Sequence, residues 1–197
     1  MTVNILGVGA SMRQHSSSTA ALKIALEGAK KHGAQTRLLN LRETELPIYK
    51  TDNDESSESE IHKIEEYVNW ADAFILASPD YHGSMSGSLK NFLDYFWTEF
   101  AGKMFGYICS SHEKGLTVMD HMRTSVRQCY GWSMPYGVSI NGGEDFDTNG
   151  KITNNELTVR LEMLARDLVV YGGLVRTQFT LDLKNNLAET FASRYRK

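Results

Sequence analysis

Residues 9 to 19 read Gly-Ala-Ser-Met-Arg-Gln-His-Ser-Ser-Ser-Thr, a run that gathers the hydroxyls of Ser11, Ser16, Ser17, Ser18 and Thr19 around the guanidinium of Arg13. It lies between a short apolar segment and an amphipathic one, where a strand would turn into a helix. Each hydroxyl can donate to a phosphate oxygen, Arg13 adds a planar charged donor, and the helix start contributes free N–H groups with partial positive charge. Capping a helix needs one such residue, whereas Ser16 to Thr19 supply four. The better-known phosphate loops are absent: no G-x-x-x-x-G-K-S/T occurs, and Met12 stands where the third glycine of G-x-G-x-x-G would fall after Gly7 and Gly9. A monophosphate is therefore the expected ligand.

A second segment, Ser78-Pro79-Asp80-Tyr81-His82-Gly83-Ser84-Met85-Ser86-Gly87, is tight, glycine-spaced and carries an aromatic side chain. Such a loop suits a flat heteroaromatic ring whose carbonyls and nitrogens are met by backbone N–H groups. His112, Glu113, Asp120 and His121 could suggest a metal, but no H-E-x-x-H or comparable spacing joins them, and no metal is expected.

The elements that must position these loops alternate along the chain. Apolar strands are expected at residues 3–8, 36–41, 73–77, 104–109 and 136–140, with 73–77 apolar enough to be buried on both faces. Amphipathic stretches between them read as helices. Leu22, Ala25, Leu26 and Ala29 share one face of the first, which Gly33 stops; Ile61, Ile64, Val68 and Ala71 mark the second; Leu89, Phe92, Leu93 and Phe96 the third. Residues 115–129 form a fourth, and Leu157, Leu161, Leu164 and Leu168 a fifth that Gly172 and Gly173 close. The acidic, serine-rich run from Thr51 to Glu60 has too little apolar surface to order itself and reads as a mobile surface loop. This order predicts an α/β fold, a doubly wound, five-stranded parallel sheet with helices on both faces. Its ligand then sits at the carboxyl ends of the strands. One domain, 1–197, is expected, with residues 174–197 a tail of no clear period.

At 197 residues and a net charge of −3, with 41% hydrophobic and 23% charged residues, the chain has a globular composition and no basic surplus to grip nucleic acid. Cys109 and Cys129 are too few for a disulfide framework or zinc site and read as reduced thiols. No apolar run reaches the roughly 20 residues that span a bilayer, and no basic leader precedes the first strand, so no membrane is expected and the cytoplasm is the default.

At the second loop the resemblance becomes specific. The string SPDYHGSMSGSLKNFLDYF closely resembles the signature S-P-x-Y-x-x-S-x-x-G-x-L-K-N-x-L-D of the NADPH-dependent FMN reductases, a flavodoxin-like family that includes quinone, azo-dye and metal-ion reductases. Ser11-Met12-Arg13-Gln14-His15-Ser16 likewise resembles its S-x-R-x-x-S phosphate loop. The likeness follows the element order over roughly residues 3 to 172. It implies strand order 2-1-3-4-5 and bound FMN. Ser11, Arg13, Ser16, Ser17 and Ser18 would lie at the phosphate, with Pro79, Asp80, Tyr81, His82 and Gly83 around the isoalloxazine. A third contact would come from Ser110, Ser111 and the turn to Gly115. Two departures touch the ring side: His82 replaces the usual asparagine, and residues 110–115 are poorer in glycine than usual.

The resemblance implies an FMN-dependent oxidoreductase. It would pass a hydride from NADPH or NADH through flavin N5 to a small acceptor such as a quinone, free flavin, azo compound or metal ion. No catalytic side chain is then required; His82, a histidine and so of the residue type used in proton transfer, is the one candidate for it, and the asparagine usual there argues against it. The alternative is a flavodoxin-like electron carrier or an FMN-binding sensor without nicotinamide turnover. The modest charge and the missing T-x-T-G-x-T loop argue against a carrier. Trp70, Trp97, Trp132, Tyr95, Phe96 and Phe100 form an aromatic-rich neighbourhood that could be an acceptor site or a subunit contact, and the resemblance, to a family whose members commonly meet around the third helix, implies a homodimer or homotetramer.

Overall fold

The computed structural model describes residues 2–44, 46–51, 58–147 and 149–195. The elements run β1 (Asn4–Gly9), α1 (Ser17–Lys31), β2 (Gln35–Asn40), α2 (Glu58–Trp70), β3 (Ala73–Pro79), α3 (Gly87–Asp94) and β4 (Met104–Ser110). They continue through α4 (Leu116–Gln128), β5 (Trp132–Ser133), β6 (Val138–Ile140), α5 (Gly142–Asp145) and α6 (Asn155–Lys184). Short 3-10 turns follow α3 at Thr98–Phe100 and close the described chain at Phe191–Tyr195.

All strands pair in parallel in the order β2-β1-β3-β4-β5, with β6 also on β4. Alternation along the central strands explains why both faces are apolar. Phe74, Leu76, Phe105 and Tyr107 point to the layer made by α2, α3 and α4. Ala73, Ile75, Ala77, Met104 and Ile108 point to the layer of α1 and α6. Phe74 stacks on Phe105 at 4.6 Å and meets Phe100 edge-on at 5.4 Å, which fills the first layer with rings.

Element boundaries expected from the sequence are corrected here. The fifth strand is two pieces: Trp132 and Ser133 pair with Met104 and Phe105, and Val138 to Ile140 pair with Ile108 to Ser110. Pro135 between them has no N–H to give to a ladder. Gly172 and Gly173 do not end the last helix, because α6 runs through them for 30 residues. They let it lie against the sheet: a Cβ on Gly172 would come 3.1 Å from the Ala73 Cβ, and one on Gly173 2.9 Å from Val3 Cγ2. The tail, which the sequence left open, continues α6 to Lys184 and includes the turn Phe191–Tyr195, with Phe179, Ala192 and Ala101 in a small core of their own. Of the run expected to be a mobile loop, residues 52–57 lie outside the described residues, and Glu58–Glu60 open α2.

Lys103, only 4% exposed, enters β4 with its Nζ donating to the Val68 carbonyl at 2.7 Å and lying 5.7 Å from the Phe74 ring. Burial pushes its ammonium down to about 7, and the charge of Arg176 adds to the push. An unfolded lysine keeps a value near ~10.4. Between about 7 and 10.4 the unfolded chain therefore holds one proton more, so folding stability rises with pH across that window. Lys103→Met should flatten this slope and stabilise the fold by about 1–4 kcal/mol near neutral pH. Urea unfolding at pH 6.5 and 9.5 checks it; an unchanged slope would contradict the burial argument.

Candidate functional site

The loop from β1 to α1 is shaped by its own serines. Ser16 caps α1, its Oγ accepting from Thr19 N at 3.2 Å and lying 3.0 Å from Ser18 Oγ. Ser11 Oγ accepts from Arg13 N at 3.3 Å, and Arg42 Nε reaches across from the end of β2 to the Met12 carbonyl at 3.2 Å. The first turn of α1 holds no acidic residue, so its N-terminal charge is uncompensated. Arg13 is exposed and enters no ion pair among the described residues.

The loop after β3 is locked to the first one. Ala10 O accepts from both Ser86 Oγ at 2.8 Å and Ser88 Oγ at 2.9 Å, while Ser86 also caps α3. The signature's Asn91 fixes a neighbour rather than facing the cleft, since it accepts from Tyr49 N at 2.8 Å and donates to the Pro47 carbonyl at 2.8 Å. Lys90 pairs with Asp94 on the same helix.

At the loop's tip Tyr81 and Ser84 exchange backbone hydrogen bonds of 2.9 and 3.2 Å around His82 and Gly83, whose φ angles are 56° and 78°. Two left-handed central residues define a tight hairpin turn that favours Asn then Gly. Histidine is among the non-glycine residues that enter this region more readily. The departure at His82 is thus a backbone substitution. Its side chain is exposed, and neither His82 nor Gly83 lines the cleft described below. No protein atom lies within 4 Å of a Cβ built on Gly83, so within the protein the turn alone explains this glycine. His82→Asn should keep the fold and raise stability by about 0.5 kcal/mol, because Asn enters αL more readily; thermal unfolding of the two forms side by side checks this.

Asp80 joins this turn to the loop after β4. Its N donates to Ser110 O at 2.8 Å, its Oδ1 accepts from Gly83 N at 2.8 Å, and its Oδ2 accepts from Ser111 Oγ at 2.7 Å. Ser111 N in turn donates to Ile140 O at 2.9 Å, which carries the connection to the end of β6. Beneath it, burial pushes the Cys109 thiol up to about 12, with the Asp80 charge adding to this, so the sulfur stays protonated and inert.

These loops enclose a cleft of about 540 Å³ at the carboxyl ends of β1, β3, β4 and β6. It brings together ten of the residues expected from sequence: Ser11, Arg13, Ser16, Ser17, Ser18, Pro79, Asp80, Tyr81, Ser110 and Ser111. His15, His112, Glu113, Gly142 and Gly143 also line it. Gly142 and Gly143 were not anticipated, although a loop following a strand's carboxyl end is where the topology rule would look. A Cβ on Gly142 would stand 2.4 Å from Ser17 Oγ, so α5 seals the cleft against the start of α1. The aromatic neighbourhood divides: Phe96 and Phe100 are core, Trp70 lies 4.3 Å under Arg37, and Trp97 and Trp132 face solvent.

The profile of the family described as NADPH-dependent FMN reductase matches residues 3–145, a span that includes every loop of the cleft. The chain belongs to this family. The reductase is accordingly an oxidoreductase with FMN as cofactor and NADPH as electron donor. It is similar to an NADPH azoreductase of Bacillus sp. strain OY1-2, 31% identical over 53% of this chain and 61% of the relative, just under two-thirds of that protein. An FMN-dependent NADPH-azoreductase of Staphylococcus saprophyticus is 29% identical over 79% of this chain and 88% of the relative. Among solved structures, the flavoenzyme NAD(P)H:acceptor oxidoreductase FerB of Paracoccus denitrificans superposes with a TM-score of 0.74 at 17% identity, covering 88% of this chain and 98% of that one. An archaeal flavodoxin reaches 0.60 at 11% identity, covering 87% and 99%. Both likenesses bear on the fold, which is flavodoxin-like.

Proposed function

We propose that the cleft is where the reductase holds FMN, and that it passes reducing equivalents from NADPH to a small acceptor such as a quinone, azo compound, free flavin or metal ion. One observation carries the reading. An uncompensated helix N-terminus, with Arg13 and the hydroxyls of Ser11, Ser16, Ser17 and Ser18, shares a single cleft with the Pro79–Tyr81 and 110–113 segments. The residues fit the group. The α1 end offers N–H groups without intrahelical partners to a phosphate. The other end offers a proline, a tyrosine and turn backbone to a flat ring, and the volume lies within the ~300–1,000 Å³ of small-molecule sites.

FMN bound here supplies the hydride chemistry, for which no side chain in the cleft is suited. Arg13 and the serines anchor, Asp80 and Ser111 hold the two ring-side loops in register, and Gly142 closes the floor. Azo compounds are the first acceptors to try, since the Bacillus and Staphylococcus relatives carry that name, with a quinone beside them because the family includes quinone reductases. NADH is the alternative donor. We also read the chain as a cytoplasmic homodimer or homotetramer meeting around α3, where Trp97 stands exposed.

The test is steady-state NADPH oxidation with a quinone and with an azo dye. Saturable turnover that depends on bound FMN and gives parallel double-reciprocal lines is expected. Flavin that binds but gives no nicotinamide turnover with either acceptor would make the chain a carrier or sensor.

A further inference from the structure

A second hollow of about 500 Å³ lies where α4 ends, between Arg123, Arg127, Tyr130, Gly131, Trp132, Ser133 and Phe191. It is remote from the cofactor cleft. Trp132 and Ser133 pair with the first two residues of β4, whereas the cleft begins at Ser110, the last. The strand between them spans about 17 Å.

Its lining combines two chemistries. Arg123 and Arg127 stand four residues apart on one face of α4. Arg123 is fixed by Asp120 at 2.9 Å and by the buried Tyr107 ring at 5.4 Å. Arg127 enters no ion pair among the described residues, and no carboxylate lines the hollow among them. Beside this positive charge three rings face solvent: Trp132 is 55% exposed, Phe191 44% and Tyr130 37%.

The rings are also held in place. Tyr130 occupies the residue just past the end of α4 at φ 64°, with its N bonded to Arg127 O and Gly131 N bonded to Val126 O. That position ordinarily takes glycine, because a side chain there is strained. The tyrosine is braced by Trp97 in a stacked arrangement at 6.2 Å, by Phe191 at 5.7 Å and by Tyr195 at 5.8 Å. A strained residue whose ring is fixed by neighbours makes a preformed wall, which reduces the ordering cost of binding.

We propose that this hollow binds a small aromatic anion, an aryl sulfonate or aryl carboxylate. The acid group would lie at Arg127 and the ring between Trp132 and Phe191. Charge complementarity selects an anion, and the exposed ring faces select a flat apolar body. The site goes beyond the proposed electron transfer and does not depend on it.

The test uses the FMN-loaded full chain, titrated calorimetrically with naphthalene-2-sulfonate and with its uncharged counterpart naphthalene-2-sulfonamide. The expected result is one saturable site per chain for the sulfonate, at least tenfold weaker binding of the sulfonamide, and at least tenfold loss in Arg127→Ala and fivefold in Trp132→Ala. NADPH:quinone turnover of both variants, measured without the probe, should be unchanged. Equal affinity for sulfonate and sulfonamide would overturn the proposal, as would binding that survives both substitutions and competes with the quinone. Absence of binding, with the chain sedimenting as a dimer that Trp132→Glu dissociates, would show instead that a second copy covers the hollow.

Discussion

Asp80→Ala is expected to weaken FMN binding on the order of 100-fold while the sheet stays folded. The carboxylate accepts from Gly83 N at 2.8 Å and from Ser111 Oγ at 2.7 Å, so it ties the turn after β3 to the turn after β4. Each such charge-assisted bond contributes about 1.5–3 kcal/mol. Without it Ser111, 9% exposed, loses the acceptor of its hydroxyl, and the left-handed pair His82–Gly83 keeps the Tyr81–Ser84 backbone bonds but loses the side-chain bond to Gly83 N. Both loops face the end of the cleft proposed for the ring, so their loosening should lower affinity chiefly through lost preorganisation. The strands beneath are braced by two apolar layers that Asp80 does not enter, so global stability should fall by only about 1–3 kcal/mol. Flavin fluorescence titration and thermal unfolding separate the two effects. Asp80→Asn, which retains one acceptor oxygen, should fall between. An unchanged dissociation constant in Asp80→Ala would show that the two turns do not form the ring site.

Arg13→Ala should weaken FMN binding about tenfold at low salt and leave turnover at saturating FMN within about twofold. The guanidinium is exposed and enters no ion pair among the described residues, so its contribution to a phosphate is screened, and the loss should shrink as ionic strength rises. The α1 N–H groups and the serines remain in the variant, which is why the effect is smaller than for Asp80. The arginine stands at the end of the cleft proposed for the phosphate, away from the proposed ring site, so affinity and chemistry should separate. A kcat that collapses with affinity unchanged would place Arg13 at the nicotinamide or acceptor instead.

The sequence made the central sheet legible because β1, β3 and β4 are buried on both faces and so are written as unbroken apolar runs. The β1–α1 wall of the cleft was legible because hydroxyl residues exceeding the need of a cap are a local signal. Other features depend on contacts far apart in sequence. Gly172 and Gly173 read as a helix stop until Ala73 and Val3 are seen packed against them. The turn Phe191–Tyr195 is held by rings from Tyr130 and Phe179, which no local period reveals. Residues 141–143 look like any Asn-Gly-Gly turn, and only the end of β6 beside Ser17 makes them part of the cleft. His82 is a further case: the asparagine usual at this position already argues against proton chemistry, and only the φ of 56° shows why, since the residue serves the backbone of a turn.

The most direct test of the central claim is an anaerobic absorbance titration of the purified chain, reconstituted with FMN, freed of excess flavin and then treated with NADPH. The account predicts one flavin per chain after desalting, with visible bands that bleach on addition of about one equivalent of NADPH and return with a quinone. A chain that emerges colourless, or one whose bound flavin keeps its bands in excess NADPH, would contradict it.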